Sequence, residues 1–142
     1  MSTAFAFGRR SRDTLKGVHP DLILVVSRGL LYSSYDFAIS EGLRSIERQR
    51  ELVSRRLSMT YASKHLVQPS GYAHAIDVVA TGDLNADGTV DAQDKALVWD
   101  QGVYSMIAGA MRRAADELKI GIRWGGEFKS FFDGPHFELV DA

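Results

Sequence analysis

Residues 120 to 140 read IGIRWGGEFKSFFDGPHFELV, a pattern typical of two short strands joined by a turn. Apolar and β-branched residues predict strands at Ile120 to Trp124 and at His136 to Val140, with glycines in the segment between them. Two strands connected in this way usually pair antiparallel. We therefore expect a small antiparallel sheet in this part of the chain.

The rest of the chain alternates between helical and strand patterns. Apolar residues recurring every three or four positions predict helices, and short β-branched or alternating runs predict strands. The remaining predicted elements are a helix from His19 to Ser33, a strand from Asp36 to Ser40, a helix from Ser45 to Leu57, a strand from Ala73 to Ala80 and a long helix from Asp94 to Leu118. The predicted class is α+β, a small antiparallel sheet with flanking helices.

One of these helices has a recognisable start and a weak apolar face. Ser45 is its predicted N-cap, because a serine hydroxyl can accept a hydrogen bond from a free amide of the first turn. Its predicted buried side consists of Ile46, Leu52, Val53 and Leu57.

Length and composition restrict the classes of protein that the chain can be. A chain of 142 residues fits one domain, spanning residues 1 to 142. A net charge of -1 and a pI near 6.4 do not suggest a nucleic-acid partner. There are no cysteines, which excludes disulfides, thiolate metal sites and a cysteine nucleophile.

The apolar segments are short, and this bears on where the chain is expected to act. The longest apolar run, Leu22 to Val26, is far shorter than the ~20 residues of a membrane span, so no membrane insertion is expected. At the start of the sequence the charged residues follow a few apolar ones, whereas a secretory signal has its positive charges before a longer apolar stretch. We expect synthesis in the cytoplasm without a signal peptide.

Asp133 and His136 form a pair suited to metal-assisted hydrolysis. A carboxylate three residues before a metal-binding histidine can take a proton from water and pass it to a leaving amine. Without thiolates, zinc favours histidine nitrogen and carboxylate oxygen, with three protein ligands and one open position at catalytic sites. On spacing alone, an ordinary turn followed by a strand histidine is the more frequent explanation.

Several stretches together resemble one family of metallopeptidases. They are GVHPDL at 17–22, EGLRSIERQ at 41–49, SKH at 63–65, AHAID at 73–77 and RWGGEFKSFFDGPHFEL at 123–139. The family includes the zinc D-Ala-D-Ala carboxypeptidases and the phage L-alanyl-D-glutamate endopeptidases. Its signature, S-x-H-x-x-G-x-A-x-D, is followed near the C-terminus by [DE]-x-x-H. The resemblance covers about Leu15 to Leu139.

The resemblance implies a zinc site on the sheet and a set of roles around it. The implied zinc ligands are His65, Asp77 and His136. Asp133 is the implied catalytic acid/base. Arg44 is a candidate for holding the substrate carbonyl or oxyanion, and a salt bridge at the helix start is the equal alternative. Ser63 is expected to orient the loop or contact substrate.

The chain departs from the family signature in two places. Twelve residues separate His65 from Asp77, against seven in the signature, so a loop around Val67 to Gly71 is longer, which costs little free energy. The signature glycine is replaced by Ala73. The longer loop makes His74 a rival ligand, although on a strand it would point to the face opposite Asp77.

Residues 83 to 94, DLNADGTVDAQD, have the form of an inserted EF-hand-like calcium loop. Oxygen ligands are expected at its positions 1, 3, 5, 7, 9 and 12, and Gly88 at position 6 permits the sharp turn. The expected calcium ligands are Asp83, Asn85, Asp87, Thr89 through its carbonyl, Asp91 and Asp94. An Asx-rich turn that binds nothing is the alternative. Bound calcium would order the end of the neighbouring strand and so influence the zinc site.

These features predict a zinc-dependent peptidase that cleaves the L-Ala–D-Glu bond of peptidoglycan stem peptides. In this family the endopeptidases resemble the present chain in having Asp as the acid/base, here Asp133, whereas the carboxypeptidases usually have Glu at that position. A phage or prophage endolysin-like enzyme, monomeric and acting on the cell wall after release, fits this prediction. The alternatives are a D-Ala-D-Ala carboxypeptidase with the same mechanism and a non-catalytic module that binds calcium or the wall.

Overall fold

The computed structural model describes residues 5–56, 63–127 and 133–140, and it has the predicted α+β class. The helices are α1 (Arg9–Thr14), α2 (Pro20–Tyr32), α3 (Ile46–Ser54), α4 (Ala92–Lys95) and α5 (Gln101–Leu118), with a 3-10 helix at Gly125–Glu127. The strands are β1 (Asp36–Glu41), β2 (Ala75–Thr81), β3 (Ile122–Trp124) and β4 (His136–Leu139). None of the described helices combines the length and apolar character needed to cross a membrane.

The four strands form one antiparallel sheet in the order β1-β2-β4-β3. The predicted pairing of β3 with β4 is confirmed, and β2 lies on the other side of β4. The register between β2 and β4 places Asp77 directly opposite His136. Two residues that are 59 positions apart in sequence therefore become neighbours at the centre of the sheet.

The two faces of the sheet have different chemistry because successive side chains on a strand alternate between faces. One face packs against α2 and α5, which also pack against each other. The strand residues in this core are Phe37, Ile39, Ile76, Val78, Ala80, Phe137 and Leu139. The alternate positions, which include Asp77, His136 and Glu138, therefore belong to the opposite face. The apolar core fixes the sheet and leaves that face for polar side chains.

The predicted long helix from Asp94 to Leu118 is wrong: the segment contains two helices. The short α4 ends at Lys95, and α5 begins at Gln101. Asp100 is the N-cap of α5, and its carboxylate accepts a hydrogen bond from the amide of Val103 at 3.1 Å. An Asp at this position supports a helix start better than a helix interior, because it satisfies an amide that has no partner within the helix.

The short helix α1 was missed, because its sequence RRSRDT has no apolar periodicity. It packs against β1 and makes a polar contact with that strand. The hydroxyl of Ser11, which is buried, accepts a hydrogen bond from the amide of Ile39 at 3.0 Å. Ile39 lies on β1, an edge strand, so α1 covers amide groups that would otherwise be available for pairing with another strand.

Helix α3 begins as predicted, but its buried side differs from the prediction. The hydroxyl of Ser45 accepts a hydrogen bond from the amide of Arg48 at 3.0 Å. Leu52 is buried, whereas Ile46 is 57% exposed and Val53 is half-buried. Gln49, a polar residue, is only 1% exposed. Leu57 lies outside the described residues. The first turns of α3 therefore bury an amide side chain, which must find polar partners.

Candidate metal centre

The structure brings together the three predicted zinc ligands, His65, Asp77 and His136. One nitrogen or oxygen from each lies within 4.8 Å of the others, and no other group of His, Cys, Asp or Glu in residues 5–56, 63–127 and 133–140 meets that distance. Asp77 lies on β2 and His136 begins β4, whereas His65 comes from the loop before β2. His65 and His136 are 2% and 8% exposed. Two imidazoles and one carboxylate are a donor set that suits catalytic zinc.

The backbone sets the orientation of the His65 ring. Its Nδ1 lies 2.9 Å from the carbonyl oxygen of Gly42, and since a carbonyl can only accept, Nδ1 carries the hydrogen. The lone pair of Nε2 therefore faces Asp77, whose Oδ1 is 3.4 Å away. Nε2 is buried and has no hydrogen-bond partner of normal geometry among the described residues. A buried nitrogen in this state is costly, and a bound cation would satisfy it.

The His136 ring lies between two carboxylates. Its Nδ1 is 3.3 Å from Oδ1 of Asp77, and its Nε2 is 2.9 Å from Oε1 of Glu138. Nδ1 is therefore the atom directed toward His65 and Asp77, because Nε2 is engaged on the other side of the ring. The three residues fit a zinc ion bound by Nε2 of His65, a carboxylate oxygen of Asp77 and Nδ1 of His136.

The charges of this cluster favour a cation. Burial opposes ionisation of Asp77, but a hydrogen bond with His136 and the proximity of the two histidine rings hold the pKa of its carboxyl well below the usual range. Burial likewise disfavours a charged His136, yet hydrogen bonds to Asp77 and Glu138 raise the pKa of its imidazole to about 9. The surrounding carboxylates thus stabilise positive charge, which a bound metal ion would supply in place of the proton.

Asp133 lies in a tight turn held next to the cluster. Its amide donates to the carbonyl of Gly125 at 3.0 Å, and its carbonyl accepts from the amide of His136 at 3.1 Å. The indole of Trp124 donates to the carbonyl of Gly134 at 2.7 Å. Burial and the negative charge of Asp77 both raise the pKa of the Asp133 carboxyl. A raised pKa suits a group that takes up and releases a proton near neutral pH.

Arg44 forms the salt bridge that was one of its two expected roles, and its place beside the metal centre leaves the role toward substrate a prediction. Its guanidinium forms a two-pronged ion pair with Glu41, with nitrogen–oxygen distances of 2.6 and 2.8 Å. It also donates to Oε1 of Gln49 at 2.6 Å. The salt bridge at the start of α3 is therefore present. The same guanidinium lies 3.9 Å from Oδ2 of Asp77, so its positive charge borders the metal centre.

Ser63 lies beside both Arg44 and His65. Its hydroxyl accepts a hydrogen bond from the amide of His65 at 3.1 Å and lies 3.5 Å from Nη1 of Arg44. The loop is further fixed by the amide of Arg44, which donates to the carbonyl of His65 at 2.8 Å. The Ser63 side chain thus helps to fix the backbone of the loop that carries His65.

Three residues of this site were missed by sequence reasoning: Glu41, Gln49 and Glu138. Glu138 follows His136 by two positions on a strand, which puts both on one face, so the strand pattern held a signal for it. Glu41 precedes Arg44 by three positions, and this spacing does not predict an ion pair when the conformation of the connecting turn is unknown. Gln49 occupies an inward position of α3, where an apolar residue is the usual choice.

His74, the rival ligand, lies outside the cluster. Its Nε2 is 2.8 Å from the hydroxyl of Ser70, and its ring packs edge-on against His19 with centroids 5.1 Å apart. His19 is the N-cap of α2, where its Nδ1 accepts from the amide of Asp21 at 3.0 Å. The interpretation of His19 as a helix-start residue is confirmed.

The loop of residues 83–94 folds around its own carboxylates. Asp94 is 3% exposed, and it accepts hydrogen bonds from the amides of Leu84, Asn85 and Asp91 at 2.8 to 3.2 Å. Gly88 adopts a φ of 87°, a conformation that favours glycine. In the described part of the chain, no three carboxylates of this loop meet the distance that unites the His65 cluster. Calcium binding therefore stays a prediction.

Comparisons with known proteins point to one family of peptidases. The family model for phage L-alanyl-D-glutamate peptidases matches residues 3–140. The chain is 27% identical over 148 aligned positions to an L-alanyl-D-glutamate peptidase of Escherichia phage T5, covering 96% of this chain and 99% of the relative. It is also similar to the crystal structure of the Serratia marcescens L-Ala D-Glu endopeptidase ChiX, with 44% identity and a TM-score of 0.77, covering 96% of this chain and 91% of that one.

Proposed function

The chain belongs to the family of phage L-alanyl-D-glutamate peptidases, and we propose that it hydrolyses the L-Ala–D-Glu bond of peptidoglycan stem peptides with zinc. The observation that carries this proposal is the convergence of His65, Asp77 and His136 on one point, with Asp133 beside them. The two similar proteins named for the same bond support the choice of substrate.

Each residue near the centre has a proposed role in the reaction. Bound zinc supplies a Lewis acid that polarises the peptide carbonyl and makes water a better nucleophile. Asp133 takes a proton from the attacking water and delivers it to the leaving amine of D-glutamate. Arg44, held by Glu41 and Gln49, stabilises negative charge that develops on the carbonyl oxygen. Ser63 keeps His65 in position.

The first prediction concerns the bond that is cut. Incubation of the zinc-loaded protein with purified peptidoglycan is expected to release fragments with new D-Glu amino termini, detected by mass spectrometry of the soluble products. Free D-Ala instead would assign the protein to the carboxypeptidase alternative. Zinc-loaded, folded protein that yields no product from walls of several chemotypes would favour a non-catalytic wall-binding module.

The second prediction concerns calcium, for which we propose a site in the loop of residues 83–94. A ligand that binds only the folded state stabilises it by about 2.7 kcal/mol when its concentration is 100 times its Kd. Millimolar calcium is therefore expected to raise the Tm measured by calorimetry, and Asp87→Asn is expected to reduce this rise. Calcium should also raise activity if the ordered loop supports β2, which bears Asp77.

Two controls make the calcium test specific. Magnesium, which prefers a smaller octahedral site, is expected to raise the Tm less than calcium does. The exposed Asp116, on α5 and outside the loop, provides a matched variant, Asp116→Asn, that should keep the full calcium effect. An unchanged Tm and unchanged activity in calcium would rule out the proposed site.

We propose further that residues 1–142 act as a single peptidase domain and as a monomer at the cell wall. Support comes from the hydrophobic cluster of the described residues, which joins α2 and α5 to strands β1, β2 and β4. The metal centre is likewise assembled from one chain. Sedimentation of the zinc-loaded protein would test the monomer directly.

A further inference from the structure

We infer that Glu138 is a positioning residue of the metal centre, which fixes the His136 ring so that Nδ1 is presented to the metal. The inference rests on the proposed metal-binding function of His65, Asp77 and His136. Within the described residues, Glu138 forms hydrogen bonds or ion pairs with His136 and Arg123 and with neither of the other two ligands. Its contact is with the far side of the His136 ring, where Oε1 of Glu138 lies 2.9 Å from Nε2.

Strand geometry produces this contact. His136 and Glu138 are two positions apart on β4, so their side chains project from the same face of the sheet. Pairing with β2 places Asp77 opposite His136 and Ala75 opposite Glu138. The small Ala75 side chain leaves the space beside β4 to the carboxylate. Glu138 is 12% exposed at its side chain, which limits competition from water for its hydrogen bond.

The Glu138 carboxylate favours a hydrogen on the far nitrogen of the ring. Both Asp77 and Glu138 can accept from the imidazole, but a metal ion on Nδ1 would leave a single N–H, and the ionised Glu138 is placed to accept it from Nε2. The lone pair of Nδ1 is then directed toward Asp77 and the centre. A carboxylate behind a metal-binding histidine also raises the basicity of the ligating nitrogen, and removal of such a group typically weakens metal binding by about 10–100-fold.

An ion pair with Arg123 does not account for the position of Glu138. The guanidinium of Arg123 lies opposite Glu138 on β3, at 3.9 Å from its Oε2. Arg123 is 59% exposed at its side chain, and exposed pairs of this kind contribute little. The short contact with His136 is therefore the stronger constraint on the carboxylate, and Arg123 provides a matched control.

Zinc affinity provides the main test, because it requires neither substrate nor catalysis. Competition with a chromophoric chelator would give the Kd for zinc of the wild type and of Glu138→Ala, Glu138→Gln and Arg123→Ala. We expect Glu138→Ala to bind zinc about 10–100-fold more weakly. Glu138→Gln should lose less, because the amide oxygen can still accept from Nε2. Arg123→Ala should stay close to the wild type.

The tautomer of His136 gives a second readout that a merely structural role would not change. In ¹⁵N NMR spectra recorded without zinc, at a pH where the imidazole is neutral, the hydrogen of His136 is expected mainly on Nε2 in the wild type and in Glu138→Gln, because the contact of Nε2 with Glu138 is shorter than that of Nδ1 with Asp77. In Glu138→Ala the hydrogen should move toward Nδ1, from which Asp77 can accept it. Circular dichroism and the Tm of each variant establish that it is folded, and Glu138→Gln carries the test if Glu138→Ala does not fold.

The outcomes separate this inference from the proposed function. Wild-type zinc affinity in folded Glu138→Ala, with His136 still protonated on Nε2, would overturn the positioning role and leave peptide hydrolysis standing. A protein that loses zinc affinity in Glu138→Ala but never cleaves peptidoglycan would support the positioning role and remove the proposed reaction.

Discussion

Asp133→Asn is expected to lower kcat on peptidoglycan by about 10²- to 10⁴-fold, the usual contribution of a general acid or base. The amide has nearly the same shape as the carboxylate but cannot take a proton from water. The backbone hydrogen bonds of the turn, with Gly125 and His136, do not involve this side chain, so the fold should be retained. Release of soluble fragments, followed against time, measures the effect.

Zinc content separates loss of proton transfer from loss of the metal centre. Asp133 is not one of the three clustered ligands, so Asp133→Asn should bind zinc in the same ratio as the wild type. The exposed Asp116 on α5 offers a matched variant, Asp116→Asn, which should retain full activity. If Asp133→Asn keeps more than about a tenth of the wild-type rate, well above the range for general acid–base groups, another residue must perform the proton transfer.

The strand patterns predicted the sheet because a strand with one buried face shows alternating residue types in its own sequence. Residues of β2 and β4 alternate between core and site faces, so their identity and approximate limits could be read from the chain. The order of strands could not, since it depends on packing between distant segments. Helix α1 escaped prediction for a related reason: it is joined to β1 by a hydrogen bond from Ile39 to Ser11, a contact that leaves no periodic signal.

The break between α4 and α5 was missed because the apolar periodicity of the whole segment outweighed the helix-start signal of Asp100. Apolar residues from Ala96 to Leu118 recur at helical spacing, and this periodicity favoured one continuous helix. Asp100 lies inside that range and is the cap of α5. An Asp in the middle of a periodic segment is compatible with either a solvent-exposed helix position or a new helix start, and tertiary packing decides between them.

The candidate site was predicted through resemblance more than through spacing. From the residues alone, Asp133 and His136 allowed an ordinary turn, and His74 remained a possible ligand. The fold separates these alternatives because the β2–β4 register brings Asp77 to His136, while the ring of His74 packs against His19. Glu41 and Gln49 could not be predicted as partners of Arg44, since their contact requires the turn between β1 and α3.

Gly125→Ala is expected to disrupt the active site through the backbone, with loss of both stability and activity. A Cβ at position 125 would overlap the carbonyl oxygen of Asp133 and lie 2.9 Å from the Cβ of Asp133. These are parts of the turn itself, so the turn must move and the hydrogen bond from Asp133 to Gly125 must lengthen. Overpacking of this kind typically costs about 1–3 kcal/mol, and a shift of about 1 Å in a catalytic group can lower the rate about 10²-fold.

Gly109 provides a matched control for Gly125, because a side chain at Gly109 would have no close neighbour. Gly109 lies within α5, and a Cβ there would meet no atom within 4 Å. Gly109→Ala should therefore raise the free energy of unfolding, by about 0.5–1 kcal/mol, because alanine loses less conformational entropy in a helix. Denaturant unfolding and the rate of peptidoglycan hydrolysis would be measured for both variants. A Gly125→Ala protein as stable and as active as Gly109→Ala would mean that the turn does not hold Asp133 against the metal centre.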